Sequence, residues 1–267
     1  MQAKNYAAQV ASEIHSGDIL KKAQNFTDIE LFHDKAQVSI FLGLLASIKS
    51  STNFNVPDSG KILGATKEDY YPPVLEENTK LPFSGISLMF DDNNGTTKHL
   101  VHAIQHDEEI KIFTFFNPEN KGWNICPKFM KMRGNLCCQG YIFDLKKEYK
   151  EKEDDLEMFL SHAIRAVLEL LEALSCRNVV IDNAKMPKLG SRGIENRKMP
   201  FYESKILTIK VTKNQGVGTR TGAHESPRQH LRRGHIRRLE SGNIWVNACV
   251  VGSSEKGVIK KSYNIAA

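Results

Sequence analysis

Five strand-like runs in the middle of the sequence, between residues 84 and 145, limit most strongly what this chain can fold into. SGISLMFDD breaks at Asp-Asn-Asn-Gly and resumes as KHLVHAIQHD, and EIKIFTFFNP, WNICPKFMKM and GYIFDL follow at short intervals. Short runs rich in β-branched and aromatic residues, bounded by turn residues, are typical of strands. Strands joined by such short links pair antiparallel with their neighbours, so we predict an antiparallel sheet at the centre of the chain.

Helices are predicted on both sides of this run of strands. Residues 5–25 and 33–49 have apolar side chains at helical spacing. DLEMFLSHAIRAVLELLEALSCR, residues 155–177, has the broadest apolar stripe in the chain and predicts a long amphipathic helix. Residues 52–82, rich in Pro, Asn, Asp and Gly, are interpreted as one long irregular connection.

The later part of the chain adds further strands. NVVID, ESKILTIKV, NIWVNACVV and VIKKSYNI each predict a strand. Strands, a helix and more strands indicate an α+β fold, in which a mainly antiparallel sheet is covered by the N-terminal helices and one long amphipathic helix. We expect residues 1–267 to form a single domain.

Charge is distributed unevenly along the chain. Residues 185–267 hold 17 Lys and Arg against 5 Asp and Glu, a balance of +12, whereas residues 1–184 hold 20 against 26, a balance of −6. The basic C-terminal part could attract phosphates, an acidic protein or an anionic ligand. The alternative is a basic face that only keeps the protein in solution.

Several classes of protein do not fit the sequence. No run of about 18 apolar residues predicts a transmembrane helix, and the first residues lack the apolar core of a signal peptide, so we expect a cytoplasmic protein without a membrane partner. The 5 cysteines include no CxxC pair, which favours reduced thiols over a disulfide framework or a zinc site. We expect no metal and no cofactor.

The segment QHLRRGHIRRLESG, residues 229–242, concentrates positive charge immediately before an apolar strand. If a strand begins at His235, alternation places His235 and Arg237 on one face and Arg238 on the other. Neighbouring guanidinium groups repel unless an anion lies between them, and arginine binds phosphate oxygens in two-point contacts. The predicted nucleic-acid-binding residues are Lys185, Lys188, Arg192, Arg197, Lys198, Arg232, Arg233, His235, Arg237 and Arg238.

Other interpretations of this segment remain open. Carboxylates could neutralise the cluster internally, in which case it is a structural network of salt bridges; the candidates are Asp144, Asp182, Glu225 and Glu240. The segment could also hold a metal-independent ribonuclease site, with His235 as the base and Arg233 and Arg237 as stabilisers of the phosphorane-like charge. Elsewhere, the histidines of HLVHAIQH are interpreted as polar positions of a hairpin.

The C-terminal motifs resemble those of a widespread group of uncharacterised bacteriophage and prophage proteins. RRGHIRRL is followed by IWVNACVVG and by KKSYNI; before them, Leu168–Asn178 is similar to the pattern LLxLLxxxN of the group. The basic residues with proline at Arg197–Pro200 and the strand Tyr202–Val211 follow in a similar order, although Arg197 stands where the group has glycine. The resemblance covers roughly residues 155–265 and implies a phage origin, but no activity.

Taken together, these features predict a phage-encoded protein, located in the cytoplasm of the bacterial host cell, that binds nucleic acid through its C-terminal cluster. RNA and DNA are not distinguished by the sequence. The alternative is a phage protein that binds and inhibits a host defence or regulatory protein. The ribonuclease hypothesis is the third.

Overall fold

The chain has an α+β fold, as the sequence predicts, with helices and a mainly antiparallel mixed sheet. None of the described helices combines the length and the apolar character needed to cross a membrane. The structure is a computed structural model, and the residues it describes are 6–28, 30, 33–56, 60, 62, 80–92, 94–133, 136–147, 153–183, 204–209, 228–232, 235–246, 249–251 and 253–258.

Two helices, not one, occupy residues 5–25. Gly17 lies between them with φ 79°, in the left-handed region that suits glycine, and it interrupts the helix that the apolar spacing predicts. The third helix begins after Asp34, whose carboxylate accepts a hydrogen bond from the backbone N–H of Ala36 at 2.9 Å. The helices are α1 Tyr6–Ser16, α2 Asp18–Gln24, α3 Lys35–Ser50 and α4 Glu153–Leu174.

The strands include several that the sequence interpretation missed wholly or in large part: Thr52–Asn55, Leu136–Tyr141, Arg228–Arg232 and Ser253–Val258. A strand at residues 52–55 lies where an irregular connection was expected, and the predicted strands WNICPKFMKM and NIWVNACVV are each divided into two. The strands are β1 Thr52–Asn55, β2 Gly85–Asp91, β3 Thr97–His106, β4 Glu109–Pro118, β5 Asn124–Ile125, β6 Lys128–Arg133, β7 Leu136–Tyr141, β8 Val179–Asn183, β9 Ser204–Ile209, β10 Arg228–Arg232, β11 His235–Leu239, β12 Gly242–Val246, β13 Cys249–Val251 and β14 Ser253–Val258.

The large sheet has the strand order β7-β6-β4-β3-β2-β1-β9-β8, and β5 pairs with β4. Pairing is antiparallel from β2 to β7, which confirms the expectation drawn from the short links. β1 pairs in parallel with both β2 and β9. The sequence interpretation was wrong for residues 52–55 because a four-residue strand flanked by polar residues has no alternating apolar pattern.

Helices α1, α2 and α3 pack against one face of this sheet. The shared core contains Met89, Leu100 and Phe115 from the strands, together with Val10 and Phe41 from the helices. The opposite face is also buried: Ile86, Leu88 and Ile112 have no exposed surface. Strands buried on both faces read as continuous apolar runs, which explains sequences such as GISLMF.

The chain divides into two compact units. The first, residues 1–172 and 181–207, contains the core just described. The second, residues 173–180 and 208–267, contains a three-stranded sheet of order β13-β10-β14 and the hairpin β11–β12. We call this second part the C-terminal unit. It holds 12 Lys and Arg against 3 Asp and Glu, so most of the excess positive charge of the chain belongs to it.

Candidate nucleic-acid interface

The basic segment forms one strand of a two-stranded ribbon, β11–β12. The strands pair antiparallel, with His235 opposite Val246, Arg237 opposite Ile244 and Arg238 opposite Asn243. Successive residues of a strand lie on opposite faces, so Arg237 and Arg238 lie on opposite faces of the ribbon. This is the arrangement that the sequence predicts for a strand beginning at His235.

The two arginines of β11 are exposed, whereas the apolar residues beside them, Ile236 and Leu239, are half-buried. Among the described residues of the C-terminal unit, Arg237 has no ion pair, and the candidate carboxylate of that unit, Glu240, makes none with it. Among the described residues, an internal salt bridge therefore does not account for Arg237. Its charge faces solvent at a fixed position on a strand.

A short segment after α4 holds the ribbon in place. The side chain of Asn178 donates from Nδ2 to the carbonyl oxygen of Trp245 at 2.8 Å and accepts from the backbone N–H of Trp245 at Oδ1, also at 2.8 Å. The backbone N–H of Arg177 donates to the carbonyl oxygen of Asn243 at 3.1 Å, and Asn243 Nδ2 contacts Ser175 Oγ at 3.1 Å. The side chain of Asn178 thus satisfies the outer edge of β12 as a neighbouring strand would.

The sequence interpretation missed Asn178 as part of the site. In the sequence it appears only as the last residue of the helix-ending pattern, 67 positions before Trp245. An Asn between a helix and a strand is often a helix cap or a turn residue, so spacing alone could not reveal this contact. The available clue was a side-chain amide at the first position of the predicted strand NVVID.

The other predicted site residues fall into two groups: two lie in described strands, and the rest lie outside the described residues. Arg232 is the last residue of β10 and pairs with Cys249 of β13, and His235 is the first residue of β11. The remaining predicted residues lie outside the described residues and stay predictions: Lys185, Lys188, Arg192, Arg197, Lys198 and Arg233. Glu225, one of the alternative carboxylates, also lies outside them.

No family model, curated protein or solved structure matches this chain. The resemblance to bacteriophage and prophage proteins therefore depends on the C-terminal motifs alone and stays a prediction. What can be said about the interface comes from its own geometry and charge.

Outside the C-terminal unit, the histidines of HLVHAIQH do not behave as a group. His102 was expected at a polar hairpin position but is fully buried, and its Nε2 lies 2.7 Å from Ser47 Oγ and its Nδ1 3.0 Å from Ser87 Oγ. Ser87 Oγ in turn lies 2.7 Å from Ser51 Oγ. The interpretation failed because helix α3 supplies serines against this point of the sheet.

Burial lowers the pKa of His102 to about 4, although a backbone hydrogen bond at Ile86 acts in the opposite direction. A serine–histidine–serine chain resembles a nucleophile with its base, but a base with so low a pKa accepts a proton poorly near neutral pH. The polar row joins α3 to β2 and β3. We therefore assign it a structural role.

His99 lies on the opposite face of β3 and stacks on Phe90, with ring centroids 5.2 Å apart. Burial lowers its pKa to about 4; the carboxylate of Asp92 opposes this, and His162 on α4 lowers the pKa further. Within the part of the chain that the structure describes, no group of three His, Cys, Asp or Glu residues could hold a metal ion.

The outermost strand at one end of the large sheet, β7, is exposed along most of its length. Its sequence LCCQGY contains no charged residue and no proline, and the side chains of Leu136 and Tyr141 are 76% and 48% exposed. Cys137 and Cys138 are free and exposed. Natural edge strands are usually protected by charge, proline or a bulge, so an uncharged edge of this kind suits pairing with another chain.

Proposed function

We propose that this chain is a bacteriophage or prophage protein that binds nucleic acid through its C-terminal unit. The observation that carries the proposal is the exposed guanidinium of Arg237, which has no ion-pair partner among the described residues and stands on a strand fixed by β12. An arginine held without a carboxylate is suited to a two-point contact with a phosphate.

The charge of the C-terminal unit supports the same conclusion. Twelve basic residues against three acidic ones give this unit a balance of +9, and a positive balance of this kind attracts polyanions. Nucleic-acid affinity of this electrostatic kind falls with salt, because each phosphate contact releases counterions. A basic surface that only improved solubility would not need arginines on a hydrogen-bonded ribbon.

The test is binding of labelled RNA, single-stranded DNA and double-stranded DNA at about 50 and about 200 mM salt. The wild type is compared with Arg237→Ala/Arg238→Ala. The matched control is Lys49→Ala, which removes an exposed charge from α3 in the first unit. We expect the double variant to bind more weakly, with a salt slope reduced by about one for each lost phosphate contact, and the control to bind as the wild type does. Absence of binding to all three probes at low salt would overturn the proposal.

The same samples test the ribonuclease hypothesis if the length of the RNA is followed by electrophoresis. His235 and Arg237 are two positions apart in β11, and Arg233 lies outside the described residues. Cleavage that His235→Ala abolishes while binding is retained would support the hypothesis. Intact RNA after prolonged incubation would remove it.

A second candidate function, binding and inhibition of a host protein, is favoured by the exposed strand β7. A strand of another protein can pair with the edge of a sheet through main-chain hydrogen bonds, and this pairing needs an open and uncharged edge. A Cys138→Lys variant places a charge on this edge, and Cys138→Ser is its neutral control. Capture of a host protein that the serine variant retains and the lysine variant loses would support this function; equal capture by both would argue against this edge as the binding surface.

A further inference from the structure

We infer that the nucleic acid is B-form duplex DNA and that the β11–β12 ribbon enters its major groove. This inference rests on the proposed function and makes it specific. Three properties of the ribbon lead to it: its size, the divergence of its arginines and the position of its aromatic residue.

The size of the ribbon fits a groove of a particular width. It consists of two strands with five cross-strand pairs, from His235–Val246 to Leu239–Gly242. Five residues of strand extend about 17 Å, which is the length of the ribbon along its strands. The major groove of B-DNA, about 12 Å wide, admits a two-stranded ribbon, whereas the major groove of A-form RNA is too deep and narrow for side chains to read.

The exposed edge of the ribbon is β11. Asn178 and the backbone N–H of Arg177 bind the far edge of β12, whereas β11 pairs with β12 alone among the described strands. A ligand that approaches the ribbon therefore meets β11 first. Arg237 and Arg238 are both exposed on this strand.

The two arginines lie on opposite faces of the ribbon because they are consecutive in a strand. A flat surface or a single nucleic-acid strand can contact one face only. A groove encloses the ribbon and presents a phosphate backbone to each face, so it can engage both guanidinium groups. This divergence favours a duplex over a single strand.

Single-strand binding usually requires exposed aromatic rings on which bases stack. Among the described residues of the C-terminal unit, the aromatic side chain is that of Trp245. It is half-buried, and its backbone N–H and carbonyl oxygen are both hydrogen-bonded to the side chain of Asn178. The described part of the unit therefore has arginines for phosphates but no exposed ring for stacking.

The experiment compares three probes of about 20 nucleotides per strand, which is about two turns of B-DNA: duplex DNA, duplex RNA of the corresponding sequence and the single DNA strand. Fluorescence anisotropy at about 100 mM salt measures the Kd of each. We expect duplex DNA to bind at least about tenfold more tightly than the other two. Arg237→Lys, which keeps the charge but loses the two-point contact, should reduce this preference.

The groove is tested separately by chemical protection. The protein should shield guanine N7, which lies in the major groove, from methylation by dimethyl sulfate. A small ligand that binds the minor groove should not displace the protein from the duplex. Displacement by that ligand, or unprotected N7, would overturn the groove assignment. Equal binding of duplex RNA or the single strand would overturn the choice of ligand and leave the proposed function standing, whereas no binding to any probe would overturn both.

Asn178 is a positioning residue in this scheme. Asn178→Asp replaces the Nδ2 donor with an oxygen that repels the carbonyl oxygen of Trp245, while the acceptor of the Trp245 N–H remains. We expect weaker duplex binding with an unchanged salt slope, because no phosphate contact is removed. Circular dichroism checks that the variant folds. A reduced slope would mean that Asn178 lies at the ligand, and unchanged affinity would show that the ribbon does not need this anchor.

Discussion

The arginines of the two units differ in their partners. In the first unit, Arg165 donates from Nε to Glu169 Oε1 at 2.6 Å, and Arg133 pairs with Glu108. In the C-terminal unit, Arg237 is exposed and pairs with no carboxylate among the described residues. The same residue type therefore serves the fold where an acidic partner is supplied, and is available to a ligand where none is. The first and the last of four predictions test this distinction, and the two between them measure how strongly other buried polar contacts hold the first unit.

The largest effect is expected at Glu169, whose side chain is fully buried. It accepts from Arg165 and from the backbone N–H of Ile62, the latter at 2.7 Å. Glu169→Gln removes the carboxylate that accepts from the Arg165 guanidinium and turns an amide N–H₂ toward one of these donors. We expect the free energy of unfolding to fall by about 3 kcal/mol.

Urea unfolding measures this change. Glu30→Gln is the control, because Glu30 is 80% exposed in its contact with His33 and its loss should have almost no effect. A change below about 1 kcal/mol for Glu169→Gln would show that this buried pair does not stabilise the fold.

The second prediction concerns His102 and pH. Its pKa is about 4 in the folded chain and 6.5 for an ordinary histidine, so between these values the unfolded chain binds a proton that the folded chain does not. Stability should therefore be full above about pH 6.5 and fall as the pH decreases toward 4. His99, whose pKa is also about 4, acts in the same direction.

Urea unfolding at about pH 7, 5.5 and 4.5 measures this dependence. His102→Gln should be less stable at neutral pH by about 2 kcal/mol, since it disturbs the contacts to Ser47 and Ser87, but it should lose less stability on acidification. A variant with the same pH dependence as the wild type would show that His102 does not resist protonation.

A smaller effect is expected at Glu13. Its Oε2 accepts from the backbone N–H of Trp123 at 2.8 Å and lies 3.5 Å from Lys22 Nζ, which also donates to the carbonyl oxygen of Trp123 at 3.0 Å. Glu13→Ala should cost about 1 to 2 kcal/mol, because the N–H of a fully buried tryptophan loses its acceptor. Thermal unfolding with Glu13→Gln, which retains an acceptor, separates this hydrogen bond from the charge pair; equal losses in both variants would assign the effect to charge.

The smallest effect on stability is expected at Arg237. Because it is exposed and makes no described ion pair, Arg237→Ala should change the free energy of unfolding by less than about 0.5 kcal/mol while weakening nucleic-acid binding. Thermal unfolding without ligand measures the first quantity. A loss above about 1 kcal/mol would place Arg237 among the structural arginines and remove the distinction between the two units.

The sequence predicts the class of fold and the antiparallel strands because these depend on local patterns and short links. The alternation of Arg237 and Arg238 follows from the same local rule. The contacts of Asn178 with Trp245 and of Ser47 with His102 join residues 67 and 55 positions apart. They depend on which elements pack together, and no periodicity in the sequence encodes that choice.

The parallel pairing of β1 has a consequence for the order of folding. Asn53 of β1 lies beside Ser204 of β9, about 150 residues later in the chain. Because a chain is synthesised from its N-terminus, the antiparallel strands β2 to β7 can pair with their sequence neighbours before β9 exists. The edge of β1 that pairs with β9 stays unpaired until most of the chain has been synthesised. Completion of the large sheet is therefore a late event in the folding of this protein.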